Sequence, residues 1–303
     1  MTTKTMGPGA GWRWLVRGFN LGRHNPKALF GAATLVMLVA LLPSLLQYGV
    51  MAVTGGADPQ LGLWLAMAAM VVLAVAFPLI VAGFLRVIDA AENGRPTRAL
   101  AVFDTFRAGQ GRGRIVLTGL ALLLVYMLLF VAVLFLAGGE IAAWYWDVMQ
   151  LAQASDPGAT PELPPMPAGM GRLMALMLLV MMICAGLYAI GFGQVALNGR
   201  SVGEALADAF AGTLKNVLPL LVLTLLGVVA MLLAILVIGL LVGLLAVVGS
   251  IVDPIVGIVL AVPLYLGFLV AMYVVMFGIL YSIWQDVCGS RVENEGDANA
   301  FVA

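Results

Sequence analysis

The chain has 303 residues, 63% of them hydrophobic and 10% charged, with a formal net charge of zero. Soluble domains carry about 25% charged residues, so a soluble globular class is excluded. The two cysteines, Cys184 and Cys288, give neither a disulfide framework nor a Cys-based zinc site.

The charges cluster and leave six uncharged stretches, at 28–57, 60–85, 115–139, 173–199, 216–252 and 254–285. Each exceeds the ~20 residues that cross a bilayer as a helix, whereas barrel strands would alternate over ~10 residues. The expected fold is all-α: an integral membrane bundle of six transmembrane helices with short amphipathic helices on its cytoplasmic surface. Three regions follow: a cytoplasmic N-terminus (1–27) with an interfacial helix, a six-span membrane domain (28–285), and a disordered cytoplasmic tail (286–303).

Residues 1–11 are polar and Gly-rich and are expected to be mobile. Next, Trp12, Leu15, Val16 and Phe19 follow the i, i+3, i+4, i+7 spacing of one helix face. Arg13 and Arg17 point elsewhere, a pattern suited to a helix lying flat at headgroup level. The first span has a long basic flank and no small-x-small site after it, so it is read as a span and not as a cleaved signal. Pro43 and Pro78 fall inside spans 1 and 2. The basic segment 86–114 follows. After the turn Asn93-Gly94, Pro96 suits the start of a helix in which Ala99, Val102, Phe103 and Phe106 share a face.

Span 3 exits into the longest outer loop, 140–171. It opens with Trp144, Tyr145 and Trp146, an interfacial aromatic belt, and continues as the Pro-rich SDPGATPELPPMPAG. An interfacial helix followed by an extended strap is expected. After span 4, Asn198-Gly199-Arg200 echoes Asn93-Gly94-Arg95. A third stripe, Val202, Ala205, Leu206, Ala209 and Phe210, precedes span 5. Spans 5 and 6 are longer than the bilayer core and imply tilt or extension.

Each unit would then be a short surface helix, an outward span and a return span, starting near Trp12, Thr97 and Val202. Units that cross twice share one orientation, the arrangement of parallel repeats about the membrane normal. Chance similarity among apolar segments is the rival account of this threefold pattern.

The net charge hides an asymmetry. With six spans, 14 of the 15 Lys and Arg residues lie on one side and only Arg172 on the other. The positive-inside bias places both termini in the cytoplasm. The candidate lipid-headgroup residues are Arg13, Arg17, Arg95, Arg98, Arg107, Arg112 and Arg114, because basic side chains beside an anionic leaflet attract its headgroups. Gly239 and Gly243 form a GxxxG pair in span 5. It is a candidate for close helix packing, inside the bundle in preference to between copies.

Catalytic patterns are absent. His24 is the single histidine, and it is read as an interfacial polar residue with pH sensing as the other option. No Walker sequence or HExxH pattern occurs, and the G-x-S-x-G spacing at 199–203 follows a long apolar span where a nucleophile elbow needs a strand. The run 109–114, GQGRGR, lacks the strand–loop–helix setting of a phosphate loop. Asp89 with Glu92 and Glu204 with Asp208 read as solvated faces paired with nearby arginines. No Asp, Glu, Lys or Arg falls inside a span, which disfavours an ion-coupled transporter. No enzyme activity, cofactor, metal or nucleic-acid partner is expected.

The residues GWRW (11–14) with Asn25-Pro26, then FPLIVAGFLRVIDAAENGRP (77–96) and ALAVFDTFRAGQGR (99–112), resemble an uncharacterised family of proteobacterial inner-membrane proteins. The resemblance covers residues 12–125; beyond them only the span pattern is similar. The layout is also similar to the membrane domain attached to some glycerophosphodiester phosphodiesterases. Their catalytic barrel has no counterpart in these residues, so that activity is not carried over. The resemblance implies a bacterial inner-membrane, multi-pass protein with membrane lipid, or a protein at the cytoplasmic face, as partner. The functional expectation is a non-enzymatic module binding anionic lipid or such a partner. The alternatives are a small transporter or channel between the helix pairs and, third, a lipid-modifying enzyme.

Overall fold

A computed structural model describes residues 3–55, 59–154 and 164–289. Among these residues are nine α-helices and one 3₁₀ segment. The α-helices are α1 (Ala10–Asn20), α2 (Pro26–Val53), α3 (Pro59–Glu92), α4 (Arg112–Ala137), α5 (Gly139–Ala154), α6 (Met170–Ala196), α7 (Val202–Lys215), α8 (Val217–Ile251) and α9 (Pro254–Cys288); the 3₁₀ segment is Ala99–Phe106. Six of the α-helices (α2, α3, α4, α6, α8 and α9) are long and apolar enough to cross a membrane. The chain is a multi-pass helical membrane bundle.

Local sequence explains where the helices start and stop. Asn25 accepts from the Ala28 N–H at 3.2 Å, and Pro26 needs no donor partner at the first position of α2. Asp253 and Pro254 repeat the device at α9, with Asp253 Oδ1 2.7 Å from the Ile255 N–H. Ser201 and Glu204 form a capping box on α7. Two return spans end on a glycine in the left-handed region, Gly94 (φ 65°) and Gly199 (φ 63°). The repeated Asn-Gly-Arg is therefore one stop signal used twice.

The packing has a cyclic pattern. Each outward span pairs with the return span that follows it: α2 with α3, α4 with α6, α8 with α9. The return spans α3, α6 and α9 touch one another. Each outward span also leans on the return span of the preceding unit: α4 on α3, α8 on α6, α2 on α9. The surface elements do the same. The 3₁₀ segment packs on α2 and α3, α7 on α6 and α4, and α1 on α8 and α9. Advancing by one unit maps every one of these contacts onto another. Glycines on the return spans let the surface elements approach. A Cβ at Gly83 would overlap the Val102 carbonyl oxygen, one at Gly186 would lie 2.7 Å from Thr213 Oγ1, and one at Gly278 would lie 3.0 Å from the Gly18 Cα.

Several sequence expectations need correction. The arm before α1 is docked where mobility was expected: the Lys4 N–H donates to the Val287 carbonyl at 2.9 Å, and the Met6 N–H to Asn216 Oδ1 at 2.7 Å. Helix α9 runs through Asp286 to Cys288, all buried, so the tail cannot begin at 286 as a disordered segment. Residues 290–303 lie outside the described residues, as do 155–163 of the strap. The part of that loop that is described holds α5, whose Trp144 indole N–H donates to the Pro164 carbonyl at 3.1 Å.

In α1 the face against the bundle is Ala10, Gly11, Trp14, Leu15 and Gly18, whereas Trp12 and Phe19 are 55% and 58% exposed. The stripe is therefore divided, with Leu15 buried, Val16 half-buried and Trp12 and Phe19 outside, and the docking face is carried by Trp14 between small residues. The element 99–106 is 3₁₀, so its period is three. Val102 and Thr105 are fully buried, and Phe106 lies partly outside.

A polar network at the basic face

The end of the bundle that holds residues 3–27, 86–114, 200–215 and the end of α9 carries thirteen basic residues and six acids among the described residues. Short-range partners organise most of them. Arg17 pairs with Asp286 at 2.8 Å, and the Trp14 indole N–H donates to the same carboxylate at 3.0 Å. The Asp286 side chain is 4% exposed, so this pair anchors α1 on α9.

Asp89, near the end of α3, accepts from Arg95, from Asn93 Nδ2 at 3.0 Å and from the Tyr281 hydroxyl of α9 at 3.0 Å. Arg86 caps the end of α6 by donating to the Ala196 carbonyl at 2.9 Å, and it holds Gln110 Oε1 at 2.8 Å. A cation here meets the negative end of the α6 dipole. Arg114 donates to the Gly199 carbonyl and Arg112 to the Phe106 carbonyl at 3.1 Å. The run 109–114 is thus tied between α3 and α6.

Arg200 reaches Glu204 at 3.2 Å and Asp208 at 3.3 Å, and Asp208 also accepts from Gln194 Nε2 at 2.6 Å. The Ser201 hydroxyl, with its backbone N–H and nearby Arg200, holds the Glu204 carboxyl below its ordinary range. Asn216 ties the N-terminal arm to α7, donating to the Lys4 carbonyl at 2.9 Å. His24 lies 3.6 Å from Glu92. No group of three His, Cys, Asp or Glu residues suited to a metal ion occurs among the described residues.

The seven candidate arginines therefore divide. Arg17, Arg95, Arg107, Arg112 and Arg114 have protein partners, Arg107 through Asp104 at 3.2 Å. The side chains of Arg13 and Arg98 are exposed and have no ion pair or hydrogen bond among the described residues. The side chains of Lys4, Arg23 and Lys27 share that condition. Gly239 and Gly243 do not pack inside the bundle, because nothing lies within 4 Å of either position. The close approach of α8 and α9 is made instead where Gly257 meets Gly249 and Leu245.

Asp286 was missed from sequence. It is the first charge after the 254–285 run, so counting uncharged residues ends the span before it. Its partners lie 272 and 269 residues away, and spacing along the chain carries no trace of them.

The fold and this face define a six-span bundle of three interlocked units, with a basic end built on internal ion pairs and fringed by free cations. No family model, curated protein or solved structure matches the chain.

Proposed function

We propose that the protein is a non-enzymatic inner-membrane module of a bacterium that gathers anionic phospholipid at its cytoplasmic face. The observation that carries this reading is the set of five unpartnered cationic side chains, Lys4, Arg13, Arg23, Lys27 and Arg98, on one end of a membrane bundle. A cation near an anionic leaflet contributes about 1 kcal/mol, so five contribute about 5 kcal/mol at most. The arginines paired with acids or helix ends add to the field but have their donors engaged. The charge bias of the sequence supports the cytoplasmic placement, and the resemblance drawn from residues 12–125 supports the bacterial inner membrane.

The network favours this reading over its two rivals. Gln194 on the return span α6 is fully buried and bonded to Asp208 and Asn198. Of the acids a lipid-modifying enzyme would use, Asp89 and Asp104 are held by Arg95 and Arg107, and Glu92 lies 3.6 Å from His24.

The test is retention of lipid by protein extracted in detergent. Phosphatidylglycerol should be retained over phosphatidylcholine, and the preference should shrink as salt shortens the screening length from about 10 Å at 0.1 M to about 3 Å at 1 M. Replacing Arg13, Arg23 and Arg98 by Gln should remove it. Equal retention of both lipids at low salt overturns the reading.

A further inference from the structure

Helices α8 and α9 touch near one end of the bundle, where Gly257 approaches Gly249 and Leu245. At the basic end they are bridged by α1. A Cβ at Gly11 would overlap the Pro219 carbonyl of α8, and one at Gly18 would lie 2.8 Å from the Val275 carbonyl of α9. Helix α1 is therefore a lintel across the two spans. Between lintel and touching point two adjoining cavities of about 390 and 630 Å³ open onto the surface between the paired spans.

Ala234 lines both cavities, so they form one slot. Its walls include Gly227 and Ala230 of α8 and Gly267 of α9, and Leu15 and Phe19 of α1 reach it from above. The lining is apolar apart from Tyr273. Leu233, Val237 and Leu241 on its rim are exposed on a surface that faces lipid in a membrane bundle.

We infer that this slot holds one acyl chain of an anionic phospholipid whose headgroup sits beside α1 at the basic end. A second copy of a span does not fit. A helix about 10 Å wide and 30 Å long occupies roughly 2400 Å³, more than twice the two cavities together. A single hydrocarbon chain is narrow and flexible, and it restores the dispersion contacts that an empty slot forgoes. The charge beside the lintel fits an anionic headgroup: Arg23, four residues beyond Phe19, has an exposed and unpartnered side chain. This inference rests on the lipid-gathering reading for its headgroup and on the cavity for its chain.

The experiment uses full-length protein in nanodiscs containing phosphatidylglycerol with a photoreactive group on one acyl chain, followed by peptide mapping. Adducts should concentrate on residues 227–241 and 263–279. Ala234→Trp fills the slot from α8 and Gly267→Leu from α9, where nothing lies within 4 Å of a new Cβ. Either should cut the slot adducts about tenfold, while adducts on the outward faces of α2 and α4 and the melting temperature stay unchanged. If one variant melts early, the other serves. Adducts spread over α2, α4 and α8 in proportion to exposed surface, or a pattern that neither substitution alters, overturn the slot. Equal slot labelling by photoreactive phosphatidylcholine overturns the anionic headgroup. Salt-insensitive retention defeats the broader reading without moving the adduct map, so the two can fail separately.

Discussion

Replacing Asp286 by Ala separates two interactions that meet at one carboxylate. Breaking a buried ion pair by removing one partner costs about 3–5 kcal/mol when the other charge stays buried. Arg17 does not stay buried. Its side chain is 38% exposed and can turn to water, so its share falls toward the ~0–1 kcal/mol of a surface pair. Trp14 has no such exit. It is 0% exposed, and its N–H would be left without an acceptor, at about 1–3 kcal/mol. The indole bond therefore dominates, and the total is about 2–3 kcal/mol for holding α1 on α9. Hydrogen exchange over α1 reads this opening directly. Asp286→Ala should speed exchange there roughly 30- to 150-fold, and Asp286→Asn, which keeps an oxygen for Trp14, by less than about fivefold. If Asp286→Asn matches Asp286→Ala, or if Asp286→Ala changes nothing, the assignment of the anchor to Trp14 is wrong.

Gly83→Ala should lower stability by about 2 kcal/mol in equilibrium unfolding, because the new methyl forces the 3₁₀ segment off its carbonyl seat. Gly239→Ala and Gly243→Ala meet open space and should be neutral or gain up to about 1 kcal/mol from helix propensity; comparable losses at all three positions would refute the packing account. The Glu204 carboxyl titrates below its ordinary value because of Ser201. Its contribution to stability is therefore complete above the ordinary carboxylate pKa of about 4.3 and is lost as pH falls through the depressed value. Carboxyl-carbon NMR should show this titration moving upward in Ser201→Ala, and an identical titration in both proteins would rule the capping box out as its cause.

The spans were legible because a bilayer imposes its thickness directly on the hydropathy of the chain. Their ends were not, because a charge does not end a helix. Arg86 closes the uncharged stretch 60–85, yet α3 continues to Glu92; its arginine finds the Ala196 carbonyl and Gln110. Asp286 likewise sits inside α9 because Trp14 and Arg17 receive it. At 99–106 a 3.6-residue period selected Phe106, while the 3₁₀ segment buries Thr105, whose hydroxyl donates to the Leu79 carbonyl at 2.8 Å. For the arginines, the sequence showed where they lie along the chain but not which were engaged. Arg98 and Arg95 are three residues apart, and only Arg95 has Asp89 within reach.

The cyclic packing gives a reason for the asymmetric use of charge. A hairpin of two apolar spans gains little from burying hydrocarbon against hydrocarbon when lipid is the alternative. Specific association must come from close backbone approach and from polar bonds. Close approach is supplied at Gly83, Gly186 and Gly278, one on each return span. The polar bonds are concentrated at the basic end, where each surface element locks onto the preceding unit: Trp14 and Arg17 of α1 on Asp286 of α9, Thr105 on the Leu79 carbonyl of α3, and Asp208 of α7 with Gln194 of α6. Since every lock closes a ring of three, opening one leaves its neighbours joined through the central return spans. The third hairpin differs in one respect, because a groove opens between α8 and α9 under their lintel. That groove lies beneath the surface helix held by Asp286, so the strength of the α1 anchor also sets how firmly the slot is roofed.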